Sequence, residues 1–284
     1  MDRMKGILVL AALLLMAACS PAEEREGTRI VSLMPSNTEI IAELGLEDAL
    51  VGVTTEDDHP ESVADDEDIS RLDTFELDEE QLIGLEPTHI IAHEASAGMN
   101  QELLDRVAET TGAEVLTVEE ARGIEGIYES IRQIGSFFSV EENAEDVISG
   151  IARDLGDLKG QYSDEETREA FIHISDQPEI YTAGGGTFMD DALSWINVGN
   201  AFDDMDGYPA VSAEDIVEKN PDVLVSVMGL DDEALGRSVS DTPGLQDMAI
   251  SDSENQCNIN PDLLTRPGPR IAEGLRQTAE CVYE

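Results

Sequence analysis

The chain has 284 residues and an extreme charge balance, with 63 acidic and 16 basic side chains and a formal net charge of −47. Nucleic-acid phosphates repel such a polyanion, so the composition excludes nucleic acid as a partner. Hydrophobic residues still make up 41% of the chain, which is enough for buried cores and excludes a disordered acidic tail.

The acidic residues are spread along the whole chain rather than gathered into one block. So large a charge of one sign destabilises a compact fold by self-repulsion at low salt. At 1 M salt the Debye length falls to about 3 Å, and the repulsion is screened. We therefore interpret the acidity as the solvated surface of a halophilic protein; an acidic patch for a cationic partner is the alternative.

The N-terminus is typical of a secretory signal. Arg3 and Lys5 precede an apolar run over residues 7–18, which is too short to span a bilayer comfortably. The run ends in small residues directly before Cys19, a pattern that resembles the bacterial lipobox, in which this cysteine is lipidated. We predict a lipoprotein signal with a lipidated cysteine over residues 1–19, a polar tether over residues 20–28, and a working compartment outside the cytoplasm. A cleaved signal that contains a cysteine by coincidence is the alternative.

Strands and helices alternate after the tether, which predicts parallel sheets covered by helices and an N-terminal α/β lobe over residues 29–139. Ser36 and Glu39 have the spacing of a capping box, so Ser36 is the predicted N-cap of the first helix. The predicted strands of this lobe cover residues 29–33, 50–53, 89–92 and 114–117, and its helices cover residues 36–45, 78–85, 100–111 and 126–138.

One long helix without proline is predicted over residues 140–163, because apolar residues recur there at helical spacing. A helix of about 22 residues is about 33 Å long and spans two small domains. Alternation then resumes, which predicts a C-terminal α/β lobe over residues 164–284. The predicted fold class is α/β, with two lobes that have central, mainly parallel sheets and are joined by one long rigid helix. A ligand can be buried in the cleft between such lobes.

Two cysteines remain beyond the lipobox, an even number for an oxidising compartment. Cys257 begins a predicted strand and Cys281 ends the predicted helix that returns from it, so both lie at the same end of one βα unit. A disulfide between them and two separate buried thiols are both compatible with this arrangement.

The two predicted lobes share a pattern of a capped helix that ends before a proline and leads into a buried strand. Glu80 and Pro87 in the first lobe are seven residues apart, as are Glu214 and Pro221 in the second. A favourable charge near a helix N-terminus explains each glutamate locally. It does not explain matching positions in two lobes, which indicate one functional group per lobe.

Motifs over residues 28–282 together resemble the helical-backbone (class III) periplasmic binding proteins of ABC importers. The family comprises lipoproteins that bind cobalamin, ferric siderophores or haem, and the resemblance is closest to its vitamin B12-binding members. The motifs lie at residues 29–39 (RIVSLMPSNTE), 51–53 (VGV), 181–188 (YTAGGGTF), 207–214 (GYPAVSAE) and 266–270 (RPGPR).

The resemblance implies an extracytoplasmic binding protein that is held at the membrane by its lipid anchor, captures cobalamin and delivers it to an ABC permease dimer with its ATPase subunits. It implies a monomer with no intrinsic cofactor and no catalytic residues. Glu80 and Glu214 match the acids that dock onto arginines of the two permease subunits. The positions that match the corrinoid-binding cleft are Pro35, Ser36, Asn37, Phe75, Tyr208, Leu263, Leu264, Thr265 and Arg266.

Other ligands and another class of protein stay open. A haem binder needs a tyrosine or histidine in the first lobe; Tyr128 falls in mid-helix, whereas His59 and His93 lie near strand ends. With Glu94 these histidines make a partial metal-ligand set, but no close-spaced motif supports a metal site. A ferric-siderophore binder is disfavoured by the few basic residues. A metal-dependent enzyme of the nitrogenase type needs cysteines distributed over the cleft, whereas Cys257 and Cys281 both lie near the end of this chain. The sequence contains no Gly-x-Ser-x-Gly nucleophile elbow, so a serine hydrolase is not supported.

Overall fold

The computed structural model describes residues 27–284, so the predicted signal, Cys19 and most of the predicted tether lie outside the described residues. In the part that is described, no helix has both the length and the apolarity that crossing a membrane requires.

The first lobe is built on a sheet of five parallel strands in the order β3-β2-β1-β4-β5. The strands are β1 (Ile30–Ser32), β2 (Leu50–Thr54), β3 (Ser70–Leu72), β4 (His89–His93) and β5 (Glu114–Val118). The helices are α1 (Pro35–Glu43), α2 (Glu61–Ala64), α3 (Glu79–Gly84), α4 (Glu94–Thr111) and α5 (Ile124–Phe137).

A single helix of 22 residues, α6 (Glu141–Tyr162), follows the first lobe. Its buried positions recur every three or four residues, as an amphipathic helix requires: Ala144, Ile148, Ile151, Leu155, Leu158 and Tyr162. The helix packs against α5 of the first lobe at one end and against the last helix of the chain at the other. The long connecting helix of the predicted fold class is therefore confirmed.

The second lobe is built on a mixed sheet in the order β11-β10-β6-β7-β9, with β8 paired to the first half of β6. Its pairings are parallel except where β7 pairs with β6 and β9. The strands are β6 (Arg168–Ser175), β7 (Ile180–Thr182), β8 (Val198–Asn200), β9 (Ala210–Val211), β10 (Val223–Ser226) and β11 (Gln256–Asn258). The helices are α7 (Phe188–Ser194), α8 (Ala213–Lys219), α9 (Asp232–Asp241), α10 (Pro261–Thr265) and α11 (Ile271–Tyr283).

Each sheet has one face toward α6 and one face away from it, because side chains alternate along a strand. In β1, Ile30 joins the core around α6 whereas Val31 joins a separate core with α3 and α4. In β6, Ile172 joins the core around α6 whereas Phe171 packs with α8 and α9. The lobes thus share one continuous core on the side of α6, and we call the opposite side, covered by α3, α4, α8 and α9, the outer side.

The predicted capping box at the first helix is wrong. Helix α1 begins at Pro35 with Met34 as its N-cap, and no side chain accepts a hydrogen bond there. Proline favours the first helical position because its fixed φ suits a helix and its missing N–H would be unpaired anyway. The carboxylate of Glu39 instead binds arginines of the second lobe. A true reciprocal capping box occurs at α8, between Ser212 and Asp215.

Two further predictions of local structure are corrected. Helix α4 begins at Glu94, not at residue 100, because the Nδ1 atom of His93 accepts a hydrogen bond from the Ala95 amide and caps the helix. Helix α9 was not predicted, although the side chain of Asp231 caps its start. Only Leu235 and Val239 are buried in this helix, and two apolar positions give too weak a periodic pattern to detect.

Candidate functional site

The cleft is bordered on one side by the loops that follow the strands of the first sheet. Because all five strands are parallel, their carboxyl ends meet at one edge, where ligands bind in open α/β sheets. Pro35 follows β1, Asp58 follows β2, Phe75 follows β3 and Glu120 follows β5. Direct hydrogen bonds from Arg266 to this edge show that the second lobe faces it.

Two aromatic side chains, one from each lobe, are exposed near this edge. Phe75 has 86% of its surface exposed and Tyr208 has 50%. Partial burial, and then the charge of Glu120 across the cleft, raise the pKa of the Tyr208 hydroxyl above its ordinary value. The hydroxyl is therefore protonated at neutral pH, and the exposed ring offers an apolar face.

Four of the predicted ligand positions are buried. The side-chain amide of Asn37 donates to the Ala92 carbonyl oxygen at 3.3 Å, which ties the start of α1 to the end of β4. Leu264 packs into the core around α6. Side chains in these positions support the wall of the cleft and do not project into it. The buried residues are Ser36, Asn37, Leu263 and Leu264, whereas Thr265 is exposed and Pro35 is half-buried.

Arg266, also predicted to contact the ligand, is bound to carboxylates. Its Nη1 atom lies 2.6 Å from Asp58 Oδ1 and 3.5 Å from Glu39 Oε1, and its Nη2 atom lies 2.9 Å from Asp262 Oδ1. Arg270 adds two bonds to Glu39, from Nε to Oε2 at 2.9 Å and from Nη2 to Oε1 at 2.5 Å. We call Glu39, Asp58, Asp262, Arg266 and Arg270 the inter-lobe ion cluster.

The charges of the inter-lobe ion cluster perturb one another. The hydrogen bond to Glu39 raises the pKa of Arg270. Burial raises the pKa of Asp58, but the hydrogen bonds with Arg266 and Asp262 and the positive charge of Arg266 together outweigh it, so the net shift is downward. Burial raises the pKa of Asp262, and its hydrogen bond with Asp58 raises it further. Both guanidinium groups are thus neutralised by protein carboxylates.

His59 and His93, which the sequence analysis considered as metal or haem-iron ligands, lie in different surroundings. His93 is buried at the junction of β4 and α4, and burial lowers its pKa, so the imidazole is neutral. His59 precedes a cis proline, Pro60, in the loop between β2 and α2. Tyr128 is buried in α5 on the side of α6. Across residues 27–284, no group of three or more potential metal ligands converges.

The two glutamates predicted to dock onto the permease lie at corresponding places in the two lobes. Glu80 is in the first turn of α3 and Glu214 is in the first turn of α8, and both are exposed. Each helix is fixed at its start by a side-chain cap, Asp78 for α3 and Ser212 for α8. Because α3 and α8 both cover the outer side, the two acids share one side of the molecule.

The two cysteines within the described residues form a disulfide. Cys257 in β11 and Cys281 in α11 are joined at an Sγ–Sγ distance of 2.08 Å and enclose a separation of 24 residues. The sequence had left this pairing open. The bond ties the last helix, which packs on α6, to the edge strand of the second sheet.

Glu39, Asp58 and Arg270 were not predicted to belong to the cleft. The available signal was the rarity of arginine: a chain with so few basic residues carries two of them in one five-residue motif at residues 266–270. A buried acid must be sought opposite such a pair, because a buried charge requires a partner.

Comparison with known proteins agrees with this architecture. The family model described as periplasmic binding protein matches residues 30–249. The chain is 35% identical over 263 residues to an uncharacterized ABC transporter substrate-binding lipoprotein, YvrC, of Bacillus subtilis, covering 92% of this chain and 81% of that protein. It is 26% identical over 261 residues to a vitamin B12-binding protein of Vibrio campbellii, covering 89% of this chain and 88% of that protein.

A solved structure is similar over nearly its whole length. The crystal structure of a possible iron-binding (periplasmic solute-binding) protein from Staphylococcus epidermidis is 31% identical, with a TM-score of 0.82, and covers 90% of this chain and 98% of that one. The chain belongs to the periplasmic binding protein family and is a substrate-binding protein of an ABC transporter, not an enzyme.

Proposed function

We propose that this protein captures cobalamin, or a closely related corrinoid, outside the cytoplasm and delivers it to an ABC permease dimer. In this proposal Cys19 carries the lipid anchor, and Glu80 and Glu214 dock onto the permease. The transporter's permease and ATPase are the partners that a substrate-binding component requires.

The observation that carries the proposal is the exposure of Phe75 and Tyr208 at the cleft, one from each lobe. A flat corrin ring offers two apolar faces, and aromatic rings from opposite lobes suit such a ligand. Exposed aromatic side chains cost free energy in water, so burying them against a ligand is favourable.

The charges near the cleft also favour a corrinoid over an anionic chelate. The periphery of a corrin carries amides, which need hydrogen-bond partners rather than cations. Arg266 and Arg270, the basic residues of the RPGPR motif, are already bound to carboxylates and are not available to an anionic siderophore or to the carboxylates of haem. At high salt this electrostatic objection weakens.

A second candidate is an iron chelate, either a ferric siderophore or haem. Similarity to the possible iron-binding protein of Staphylococcus epidermidis, at 31% identity, favours it. In this alternative His93 or His59 would be the first residues to examine as iron ligands, since His93 ends β4 and His59 lies in the loop after β2.

A ligand panel tests the proposal. Cobalamin, haem and several ferric siderophores are titrated at high salt, and binding is read from quenching of the single tryptophan, Trp195. We expect cobalamin to bind most tightly, and Tyr208→Ala to weaken it about tenfold by calorimetry because an aromatic contact is lost. Tyr208→Phe, which keeps the ring, is the matched control and is expected to retain the affinity. Tighter binding of haem or of a siderophore would replace the corrinoid assignment, and unchanged affinity in Tyr208→Ala would remove this residue from the site.

A further inference from the structure

The inter-lobe ion cluster makes direct contacts between the lobes across the cleft. Glu39 and Asp58 belong to the first lobe, whereas Asp262, Arg266 and Arg270 belong to the second. Besides its carboxylate partners, Arg266 donates from Nη2 to the Glu56 carbonyl oxygen at 2.9 Å. The cluster therefore links the second lobe to both α1 and the loop after β2.

The backbone between the two arginines also touches the first lobe. A Cβ placed on Gly268 would lie 3.6 Å from Glu39 Oε2 and 3.9 Å from the Ser36 Cβ, so the loop runs directly over the start of α1. Pro267 and Pro269 flank this glycine and restrict the backbone, which holds Arg266 and Arg270 in fixed positions. The contact is thus made by a stiff segment of the second lobe.

The burial of Glu39 decides what this contact does. Only 3% of its side chain is exposed, and a buried carboxylate is costly unless it is paired. Arg270 meets both of its oxygens, which fixes the direction as well as the distance of approach. Because the desolvation cost of a buried pair offsets much of its attraction, the cluster specifies geometry more than it adds stability.

We propose that Glu39, Asp58, Arg266 and Arg270 are positioning residues that fix the separation of the two lobes before any ligand binds. Ligand is then held at the outer side of the contact, and Arg266 serves the lobes rather than the ligand. The same separation sets the distance between Glu80 and Glu214. For its effect on ligand the inference rests on the proposed function, whereas its effect on the lobes does not.

The separation of the lobes is measured first without ligand. Spin labels are attached to Glu102→Cys on α4 and Glu218→Cys on α8, exposed positions in different lobes, in the full chain with Cys19→Ser. The variant Glu39→Gln/Arg266→Gln/Arg270→Gln removes both guanidinium groups together with the buried carboxylate of Glu39, and leaves only the more exposed carboxylates of Asp58 and Asp262. Double electron–electron resonance spectroscopy gives the distribution of distances between the two labels. We expect this distribution to be broader in the variant than in the wild type.

The second readout is the dissociation rate of cyanocobalamin. We expect this rate to rise about tenfold in the triple variant while the association rate changes little, because the width of the cleft is no longer fixed. Arg132→Gln is the matched control: it removes the exposed pair of Arg132 and Glu145 between α5 and α6, and both readouts should equal those of the wild type.

A folded triple variant with the wild-type distance distribution would overturn the proposal. If the triple variant does not fold, Arg266→Lys/Arg270→Lys decides, since lysine keeps the charge but loses the two-point contact; a broadened distribution supports the proposal and an unchanged one refutes it. Should the wild type fail to bind cyanocobalamin, the corrinoid assignment fails, and the distance measurement alone still decides the role of the cluster.

Discussion

His173 in β6 is a buried histidine whose ring nitrogens have no hydrogen-bond partner among the described residues. Only 4% of its side chain is exposed, and its ring stacks on Phe171 with the centroids 5.3 Å apart. Burial lowers its pKa from 6.5 to about 4, with a small opposing effect of Asp176. The imidazole is therefore neutral over the whole range in which an unfolded chain would take up a proton.

This histidine is predicted to make the fold acid-sensitive. As the pH falls from 6.5 to about 4, the unfolded state binds a proton at His173 and the folded state does not, so the free energy of unfolding falls by about 3 kcal/mol. His173→Leu should lose this dependence. Urea unfolding of both proteins between pH 4 and pH 8 measures it, with the variant gaining relative stability only below about pH 6.5. A difference between the two proteins that stays constant with pH would refute the prediction.

Single residues show where inference from sequence ends. The motif at residues 29–39 contains the start of α1, where the inter-lobe ion cluster lies, but the role assigned to Glu39 was wrong. The spacing of Ser36 and Glu39 predicted a capping box, whereas the partner of Glu39 is Arg270, which lies 231 residues away along the chain. A pairing at such a distance leaves no periodic signal, and only the rarity of arginine hinted at it.

At the scale of elements, periodicity predicted the longest helix and three of the buried strands well. Helix α6 and strands β2, β4 and β5 are each found within about two residues of their predicted bounds, because long apolar patterns leave few alternatives. Strands β3, β7, β8 and β9 were missed, since each has three residues or fewer and therefore gives only a weak pattern.

The first turns of α3 and α8 carry the prediction that belongs to this scale. Glu80→Ala/Glu214→Ala should abolish uptake of cobalamin by cells while calorimetry finds the ligand affinity nearly unchanged. The reason is that both acids are exposed on the outer side and would bind arginines of the permease, whereas neither carboxylate is needed to hold the fold.

The control for the docking prediction uses the same lobes. Glu102→Ala/Glu218→Ala removes two other exposed acids, one on α4 and one on α8, and the same amount of charge. Uptake should persist in this control. Uptake that also persists in the Glu80→Ala/Glu214→Ala variant would show that the two glutamates do not dock, whatever the ligand is.

At the scale of the whole molecule, the shared core around α6 and the inter-lobe ion cluster leave little freedom for the lobes to swing apart. The core is continuous from Ile30 through Leu155 to Leu275, so the junction of the two lobes at α6 is filled with packed side chains. If Glu80 and Glu214 dock onto the permease as proposed, the permease would act on the outer side, and we expect ligand release to require that contact.

The net charge of −47 predicts that this fold depends on salt. Within residues 27–284, most acidic side chains have no basic partner, so their repulsion is relieved mainly by counterions. Between 0.1 M and 2 M KCl we expect the Tm to rise on the order of 10 °C, and to keep rising above 0.2 M as the Debye length shortens toward about 3 Å. Sucrose, which favours compact states without screening charge, is the control and should give a smaller rise. A Tm that levels off by 0.2 M KCl, or rises equally in sucrose, would contradict the halophilic interpretation and leave the acidic surface to be explained by a cationic partner.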